Sequence, residues 1–176
     1  MTIPTPLSLA EWVVLAVVDE GPTHGFAIAQ LTGEQGELGR VWQIPRPIVY
    51  RALQRLEASG LISAEGTEAG RGPRRQVYAV TSTGHRRVLL WLRTPVDHVR
   101  DVRSHLLLKL ALLDRRGKPV ANLVAAQRLR FVPIASALDR PAPTEAQGFE
   151  ATLVSWRRST TRATLAFLDE MAAGGP

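Results

Sequence analysis

The chain has 176 residues, a formal net charge of +6 and no cysteine, with 45% hydrophobic and 22% charged residues. This is the composition of a globular protein. The lack of cysteine excludes disulfides and thiolate metal sites, and no apolar run is long enough to span a bilayer. No basic residue precedes the apolar run at residues 12–18, so it does not form a secretory signal, and we expect a cytoplasmic protein with no membrane partner.

The positive charge is concentrated in the middle of the chain. Residues 1–39 hold five acidic and no basic residues, residues 40–93 hold ten Arg and three Glu, and residues 94–176 hold twelve basic and eight acidic residues. A local basic excess attracts phosphates and releases counterions on binding. Two interpretations stay open: a nucleic-acid surface, or a chain that uses arginine on every solvated surface.

The first elements in chain order are two helices. A mostly apolar helix is predicted over residues 7–18 and ends before Gly21-Pro22. Thr23 is the expected N-cap of a second helix that continues to about Leu31. Three glycines in residues 32–40 predict a loop.

A third helix begins at the proline-containing segment 45–47, because proline is tolerated in a first helical turn. Four apolar residues at helical spacing predict its buried face, and they are Val49, Ala52, Leu53 and Leu56. Arg51 and Gln54 lie on the opposite face. Tyr50 and Arg55 lie at its edges.

A basic hairpin follows this helix. Gly60 ends the helix, Leu61 begins the first strand, and residues 76–80 form the return strand. Glycine and proline in residues 66–73 predict a loop between the strands. The arginines of this hairpin are Arg71, Arg74 and Arg75. A helix beside a basic hairpin is a winged helix, in which the helix enters a DNA groove and the wing contacts the backbone.

Only helices are predicted beyond the wing. Thr81 is the expected N-cap of a fourth helix that ends near Arg93. A leucine stripe then marks another helix, and its members are Leu106, Leu107, Leu110 and Leu113. A helix over residues 118–138 follows, which Pro133 is expected to kink or end early.

A linker at residues 139–148 leads to a last helix over residues 149–172. One side of that helix is expected to carry Leu153, Trp156, Thr160, Ala163 and Phe167. Amphipathic helices without a sheet would expose apolar stripes in a monomer, so we expect a homodimer.

The exposed face of the third helix has residue types that read DNA. Arginine binds guanine through two hydrogen bonds and glutamine can bind adenine, so Arg51 and Gln54 are expected base contacts. The Tyr50 hydroxyl can donate to a phosphate, although a half-buried packing ring is the alternative. The full set of predicted DNA-binding residues is Arg46, Tyr50, Arg51, Gln54, Arg55, Arg71, Arg74 and Arg75. The alternative for the wing is that its arginines are solvated charges that bind no ligand.

Three motifs carry a family resemblance: LSLAEWVVLAVVDEGPTHGFAI at residues 7–28, VYRALQRLEASGLI at 49–62 and RRQVYAVTSTGHRRVLLWL at 74–92. In order and spacing they resemble the PadR family of bacterial transcriptional regulators. The C-terminal half resembles the branch that includes virulence-gene activators. The resemblance implies a winged-helix DNA-binding domain at residues 1–93 and a helical dimerisation region at residues 94–176.

The same resemblance implies that a homodimer binds a dyad-symmetric site in double-stranded DNA. The family at large favours repression, and the C-terminal resemblance favours activation. Two departures stand out. His24-Gly25-Phe26 replaces the common HGY, which removes a hydroxyl from a phosphate contact. Pro45 and Pro47 stand where the family often has Ser and then Gly, which bears on how the helix docks.

In some PadR-like regulators aromatic rings line a pocket for flat ligands at the dimer interface. By that resemblance Trp91 and Trp12 are the expected residues of a pocket for an aromatic or hydrophobic small-molecule effector. Packing in the core or the interface is the alternative.

The histidines do not form a metal-binding motif, and they are His24, His85, His98 and His105. The sequence also lacks GxSxG, phosphate-loop and dinucleotide motifs. We therefore expect no metal, no cofactor and no enzymatic activity. The alternative function is a winged-helix adaptor that binds proteins and has no operator of its own. Such an adaptor would not need three wing arginines.

Overall fold

The structure is a computed structural model that describes residues 6–68, 74–140 and 147–174. In this part of the chain helices predominate, and one three-stranded antiparallel sheet accompanies them, which confirms the predicted fold class. The chain forms two compact units. The first joins Met1–Leu92 with Leu107–Gly117, and the second joins Arg93–Leu106 with Lys118–Pro176.

The described elements of the first unit follow the chain order. They are α1 (Leu9–Glu20), β1 (Thr23–His24), α2 (Gly25–Leu31), α3 (Arg46–Ala58), β2 (Ile62–Glu68), β3 (Arg75–Val80), α4 (Ser82–Arg93) and α5 (Leu107–Arg115). Buried apolar side chains from all five helices pack in one cluster together with Leu61 and Ile62. This core fixes the position of α3 and of the sheet.

Helix α1 lies at the centre of that core, since residues 13–18 are all buried. A capping box begins the helix. The Ser8 hydroxyl accepts a hydrogen bond from the Glu11 backbone N–H at 3.3 Å, and the Glu11 carboxylate accepts one from the Ser8 N–H at 2.6 Å.

The C-terminal end of α1 is acidic, which the helix dipole disfavours. Arg115 at the end of α5 and Arg116 directly after it supply the compensating cations. Arg116 Nη1 lies 2.7 Å from Asp19 Oδ2, and Arg115 donates to both Glu20 oxygens at 2.8 and 3.2 Å. Arg115 also pairs with Glu37 in the segment before α3. We call these five residues the ionic clamp. The hydrogen bond to Glu20 raises the pKa of Arg115 above its usual value.

The sheet has the strand order β1-β3-β2, and β1 is an element that the sequence does not predict. Thr23 pairs with Tyr78 of β3, so the expected N-cap role of Thr23 is wrong. His24 caps α2 instead, because its extended backbone lets Nδ1 accept a hydrogen bond from the Ala27 N–H at 3.0 Å.

Strand β2 is longer than predicted. The loop expected from residue 66 begins later, because β2 continues to Glu68 through a bulge between Ala64 and Gly66. The backbone of Gly66 has φ +150°, which glycine adopts without a steric penalty. Two predicted helix-terminal residues are confirmed. Gly60 follows α3 with φ +66°, and the Thr81 hydroxyl accepts a hydrogen bond from the Gly84 N–H at the start of α4.

The second unit contains a 3₁₀ turn (Val99–Asp101), a π-helical turn (Val102–Leu106), α6 (Ala121–Asp139) and α7 (Gly148–Ala172) among its described residues. Helix α6 packs against α7. Buried Gln127 binds both backbone groups of Val96, accepting at 2.7 Å and donating at 2.9 Å. Helix α6 continues past Pro133, so the expected early end is wrong. Most of the predicted linker lies outside the described residues.

The predicted stripes are confirmed only in part. Of the leucines predicted near α5, Leu106 and Leu110 are buried and Leu113 packs against the core, and the structure adds Leu108 and Leu112 to the buried residues. In α7 the residues buried are Thr161 and Leu168, whereas Trp156 on the predicted apolar side is 66% exposed. No described helix has the length and hydropathy needed to cross a bilayer.

Candidate nucleic-acid interface

Helix α3 has one buried and one exposed face, as its sequence predicts. The buried residues are Val49, Ala52, Leu53 and Leu56. Arg51 and Gln54 are exposed on the other face. Their side chains can form the paired hydrogen bonds by which proteins read base edges in the major groove.

Tyr50 lies where α2 and α3 meet. A Cβ atom added to Gly25 would lie 2.8 Å from Tyr50 Cε1, so glycine at this position permits the close approach of the two helices. The Tyr50 side chain is 40% exposed. The Arg46 guanidinium carbon lies 5.6 Å from the ring centroid of Tyr50 and also 5.6 Å from that of Phe26, within the range of a cation–π contact.

Phe26 also contacts the wing. The Arg75 guanidinium carbon lies 4.3 Å from the Phe26 ring centroid, and Arg75 Nη1 lies 3.5 Å from His24 Nε2. One phenyl ring thus lies beside an arginine of α3 and an arginine of β3. We call Phe26 with Arg46 and Arg75 the arginine platform.

The two other predicted wing arginines are Arg74 and Arg71. Arg74 is exposed immediately before β3. Arg71 lies outside the described residues. In β3, Tyr78 pairs with Thr23 on one side and Ala64 on the other. Burial, and then the charge of Glu57, raises the pKa of Tyr78, so its phenol stays a neutral donor at physiological pH.

Arg55 lies on α3 but pairs with α1. Its Nε lies 2.9 Å from Glu11 Oε1, and the Glu11 side chain is only 4% exposed while that of Arg55 is 56% exposed. The buried carboxylate therefore joins the start of α1 to the last turn of α3. The geometry gives Arg55 a role in positioning α3, and a DNA contact by Arg55 stays a prediction.

The two tryptophans predicted to bind an effector are in direct contact. Trp12 of α1 and Trp91 of α4 stack with ring centroids 5.3 Å apart and planes within 1°. The Arg87 guanidinium carbon lies 5.4 Å from the Trp12 ring, and Lys109 Nζ lies 5.1 Å from the Trp91 ring. Trp91 is buried in the core of the first unit, whereas Trp12 is half-buried.

The histidines make separate local contacts. His85 Nδ1 lies 2.7 Å from Asp19 Oδ1, and His105 Nδ1 lies 3.1 Å from the Ser104 hydroxyl. Within the described ranges no group of three or more His, Asp or Glu side chains could hold a metal ion.

Four residues of this region were missed by sequence reasoning: Glu11, His24, Phe26 and Tyr78. For His24 and Phe26 the sequence gave one signal, the HGF motif, and it gave none for the other two. The contacts of the four residues with Arg55, Arg75 and Thr23 join residues that are distant in the sequence, so helical and strand periodicity could not reveal them.

Comparison with protein families matches residues 14–89 to the sequence model described as Transcriptional regulator PadR-like family. The matched range contains α2, α3 and all three strands of the sheet. The resemblance stated from the motifs is thereby confirmed over these residues. The comparison with curated proteins gives no match.

Several solved structures are similar to the chain. Bacillus subtilis PadR in complex with operator DNA has 19% identity and a TM-score of 0.49, with 95% of this chain and 99% of that chain covered. The same protein in complex with p-coumaric acid has 17% identity, a TM-score of 0.42 and 97% coverage of each chain. The PadR-like transcriptional regulator BC1756 from Bacillus cereus has 16% identity and a TM-score of 0.41, with 94% and 96% covered.

Proposed function

Since residues 14–89 match the sequence model of the PadR-like family of transcriptional regulators, we propose that the chain belongs to this family, binds double-stranded DNA sequence-specifically and regulates transcription as a homodimer on a dyad-symmetric site. The observation that carries the proposal is the arginine platform, which joins the base-reading face of α3 to the wing. An α-helix in the major groove reads bases, and arginines of the wing bind the backbone.

The proposal gives a role to each predicted residue except Arg55, whose ion pair with Glu11 is described above. Arg51 and Gln54 contact base edges, whereas Arg46 and Arg75 contact phosphates from the arginine platform. Tyr50 supplies a hydroxyl to the backbone at the same edge of α3. Arg74, and Arg71 on sequence grounds alone, extend the backbone contact along the wing.

The decisive experiment selects bound fragments of the source genome with the purified protein and derives their common sequence. Arg51→Ala is then expected to weaken operator binding by about 1–3 kcal/mol and to relax preference at one base of each half-site. Arg74→Ala should weaken binding equally for all sequences and lower the salt slope by about 0.9. Selection that enriches no sequence and detects no affinity for duplex DNA would favour the adaptor alternative.

The homodimer is supported by apolar side chains on the surface of the second unit. Phe149 is 78%, Leu129 73% and Trp156 66% exposed, and large exposed apolar patches on a protein surface mark interaction sites. Sedimentation at low micromolar concentration should give the dimer mass. Trp156→Glu should shift the protein toward monomer, while Thr152→Glu, a neighbouring exposed position without an aromatic ring, should shift it less. A full-length chain that stays monomeric at high concentration would contradict the proposal.

We also propose an aromatic or hydrophobic effector that binds at the Trp12–Trp91 stack. A ligand changes DNA affinity only if it binds the DNA-competent and DNA-incompetent states differently, typically by about 5–150-fold. Planar aromatic compounds should quench tryptophan fluorescence and lower operator affinity. Trp91 is buried, so Trp91→Ala is expected to cost about 3–5 kcal/mol. Trp91→Phe and Trp12→Leu are better variants, because they remove one indole each and retain apolar volume.

Repression is the proposed direction of regulation. A promoter that overlaps the selected operator should drive a reporter less strongly when the protein is present. Relief of that repression by an aromatic effector would join the two proposals. An increase in reporter output would instead assign activation.

A further inference from the structure

The first turn of α3 carries two exposed prolines, Pro45 at the N-cap and Pro47 two residues further on. Pro47 lies four residues before Arg51 and seven before Gln54, so the three exposed side chains share one face of the helix. Val49, on the opposite face, is buried in the core. The face that is proposed to read bases therefore begins with an apolar ring.

The same turn is a poor site for a phosphate. Proline has no backbone N–H, so Pro45 and Pro47 remove two donors from the start of the helix. The N–H groups of Ile48 and Val49 donate to the Pro45 carbonyl at 2.8 and 3.2 Å. The row of free N–H groups with which a helix N-terminus binds an anion is therefore not available here.

We propose that Pro47 contacts the C5-methyl group of a thymine in the operator. The inference rests on the proposed function and adds Pro47 to the residues that read bases. On the base edges of the major groove the thymine methyl is the apolar group, and the others are hydrogen-bond donors or acceptors. An exposed ring without a donor gains free energy in the groove by removing that methyl group from water. Pro47 thus selects T·A at one position of each half-site.

The helix determines where this thymine lies relative to the base bound by Arg51. Residues four apart on a helix have Cβ atoms about 5–6 Å apart, and successive base pairs are about 3.4 Å apart along the duplex. We therefore expect the thymine within about two base pairs of the position that Arg51 reads.

The experiment replaces each thymine of the selected operator in turn with deoxyuridine, in both half-sites. Deoxyuridine lacks only the methyl group and retains every hydrogen-bonding group of thymine, so a loss of affinity reports the methyl contact. At one thymine the wild-type protein should lose about fourfold per half-site, or about 15-fold in all, which is the effect of one buried methyl group in each. The other replacements should change affinity little.

Pro47→Ser is the informative variant, because it replaces the ring with a small polar group. Serine also restores an N–H that can bind a phosphate. The measured quantity is therefore the ratio of the affinities for the thymine and deoxyuridine operators, which contain the same phosphates. This ratio should fall to about one for Pro47→Ser, since the methyl group has lost its apolar partner. Pro47→Ala retains one methyl group and should keep part of the difference.

Pro45→Ser is the matched control, since it makes the same substitution at the other exposed proline of the turn. Serine is a favoured N-cap residue, so α3 should begin as before and the full wild-type ratio should remain. Circular dichroism of each variant checks that the helices are retained.

Three results would overturn the inference. The first is a wild-type protein that binds every deoxyuridine operator as tightly as the thymine operator, and it does not depend on the folding of any variant. The second is a sensitive thymine that lies farther from the position at which Arg51→Ala relaxes preference. The third is a Pro47→Ser variant that keeps the wild-type ratio, which would leave Pro47 as a residue that only starts the helix.

Failure of the proposed function would be seen earlier. A wild-type protein that selects no sequence from the genome would refute that function, and the selection is completed before any thymine is replaced.

Discussion

The buried Glu11 carboxylate leads to a prediction about stability that also decides the role of Arg55. Glu11→Gln keeps the shape of the side chain and removes its charge. The amide oxygen can still accept from Ser8, which leaves the amide NH₂ facing the Arg55 guanidinium, a donor facing a donor. The variant therefore weakens the start of α1 and its link to α3 together.

The magnitude follows from the contacts. The carboxylate accepts from the Ser8 N–H at 2.6 Å and from the Ser8 hydroxyl at 2.8 Å. Charge-assisted hydrogen bonds are about twice as strong as neutral ones, so removing the charge costs about 1 kcal/mol there. The Arg55 side chain is 56% exposed, so solvent screens the ion pair and its loss costs at most about 1 kcal/mol. We expect about 2 kcal/mol for Glu11→Gln and less than about 1 kcal/mol for Arg55→Met.

The assay is urea unfolding at one protein concentration, followed by measurement of operator affinity. Arg55→Met should lower the unfolding midpoint slightly and leave DNA affinity and salt slope unchanged. Arg55→Met that destabilises more than Glu11→Gln, or a Glu11→Gln protein as stable as wild type, would refute the energetic reasoning. A lower salt slope for Arg55→Met would support the predicted contact of Arg55 with a phosphate.

Three further predictions concern the same region. Phe26→Leu removes the ring that positions two arginines, and we expect operator affinity, measured by fluorescence anisotropy of labelled DNA, to fall about 5–30-fold with little loss of stability, whereas Phe26→Tyr should retain binding. Gly25→Ala puts a methyl group 2.8 Å from Tyr50 Cε1 and should lower the free energy of unfolding by about 1–3 kcal/mol. Gly21→Ala is the matched control, because a methyl group there meets no atom within 4 Å. Equal losses of stability in both variants would contradict the packing argument. Burial and the charge of Glu57 raise the pKa of Tyr78 above 10.0, so stability that is present below about pH 10 is lost as pH rises through the higher folded-state pKa. Tyr78→Phe should remove that part of the alkaline loss, as measured by urea midpoints at about pH 9 and pH 11.

Local signals in the sequence were sufficient for the main elements of the first unit. The apolar positions of α3 recur at helical spacing, and Gly60 and Thr81 are residue types with a steric or hydrogen-bonding reason to stand at helix ends. The hairpin followed from its glycines and its β-branched return strand. These features depend on neighbours within a few residues, so periodicity and capping rules apply to them directly.

Features with distant partners could not be predicted. Strand β1 has only two residues, too few for alternation, and it forms because Thr23 pairs with Tyr78. The burial of Leu108 and Leu112 depends on how α5 packs in the core of the first unit, and the capping of α2 by His24 depends on a backbone that the sheet holds extended. The arginine platform likewise requires α2, α3 and β3 to be placed together before its contacts exist.

The ionic clamp has a consequence for synthesis of the protein on the ribosome. The first unit needs Arg115 and Arg116, which are translated only after the chain has passed through Arg93–Leu106 of the second unit. Until then α1 ends in carboxylates without these cations, and the core lacks Leu108 and Leu112, each of which contributes roughly 1.5–3 kcal/mol when buried. We therefore expect the winged helix to be completed late during synthesis, and a fragment that stops at Arg93 to be less stable than one that extends to Gly117.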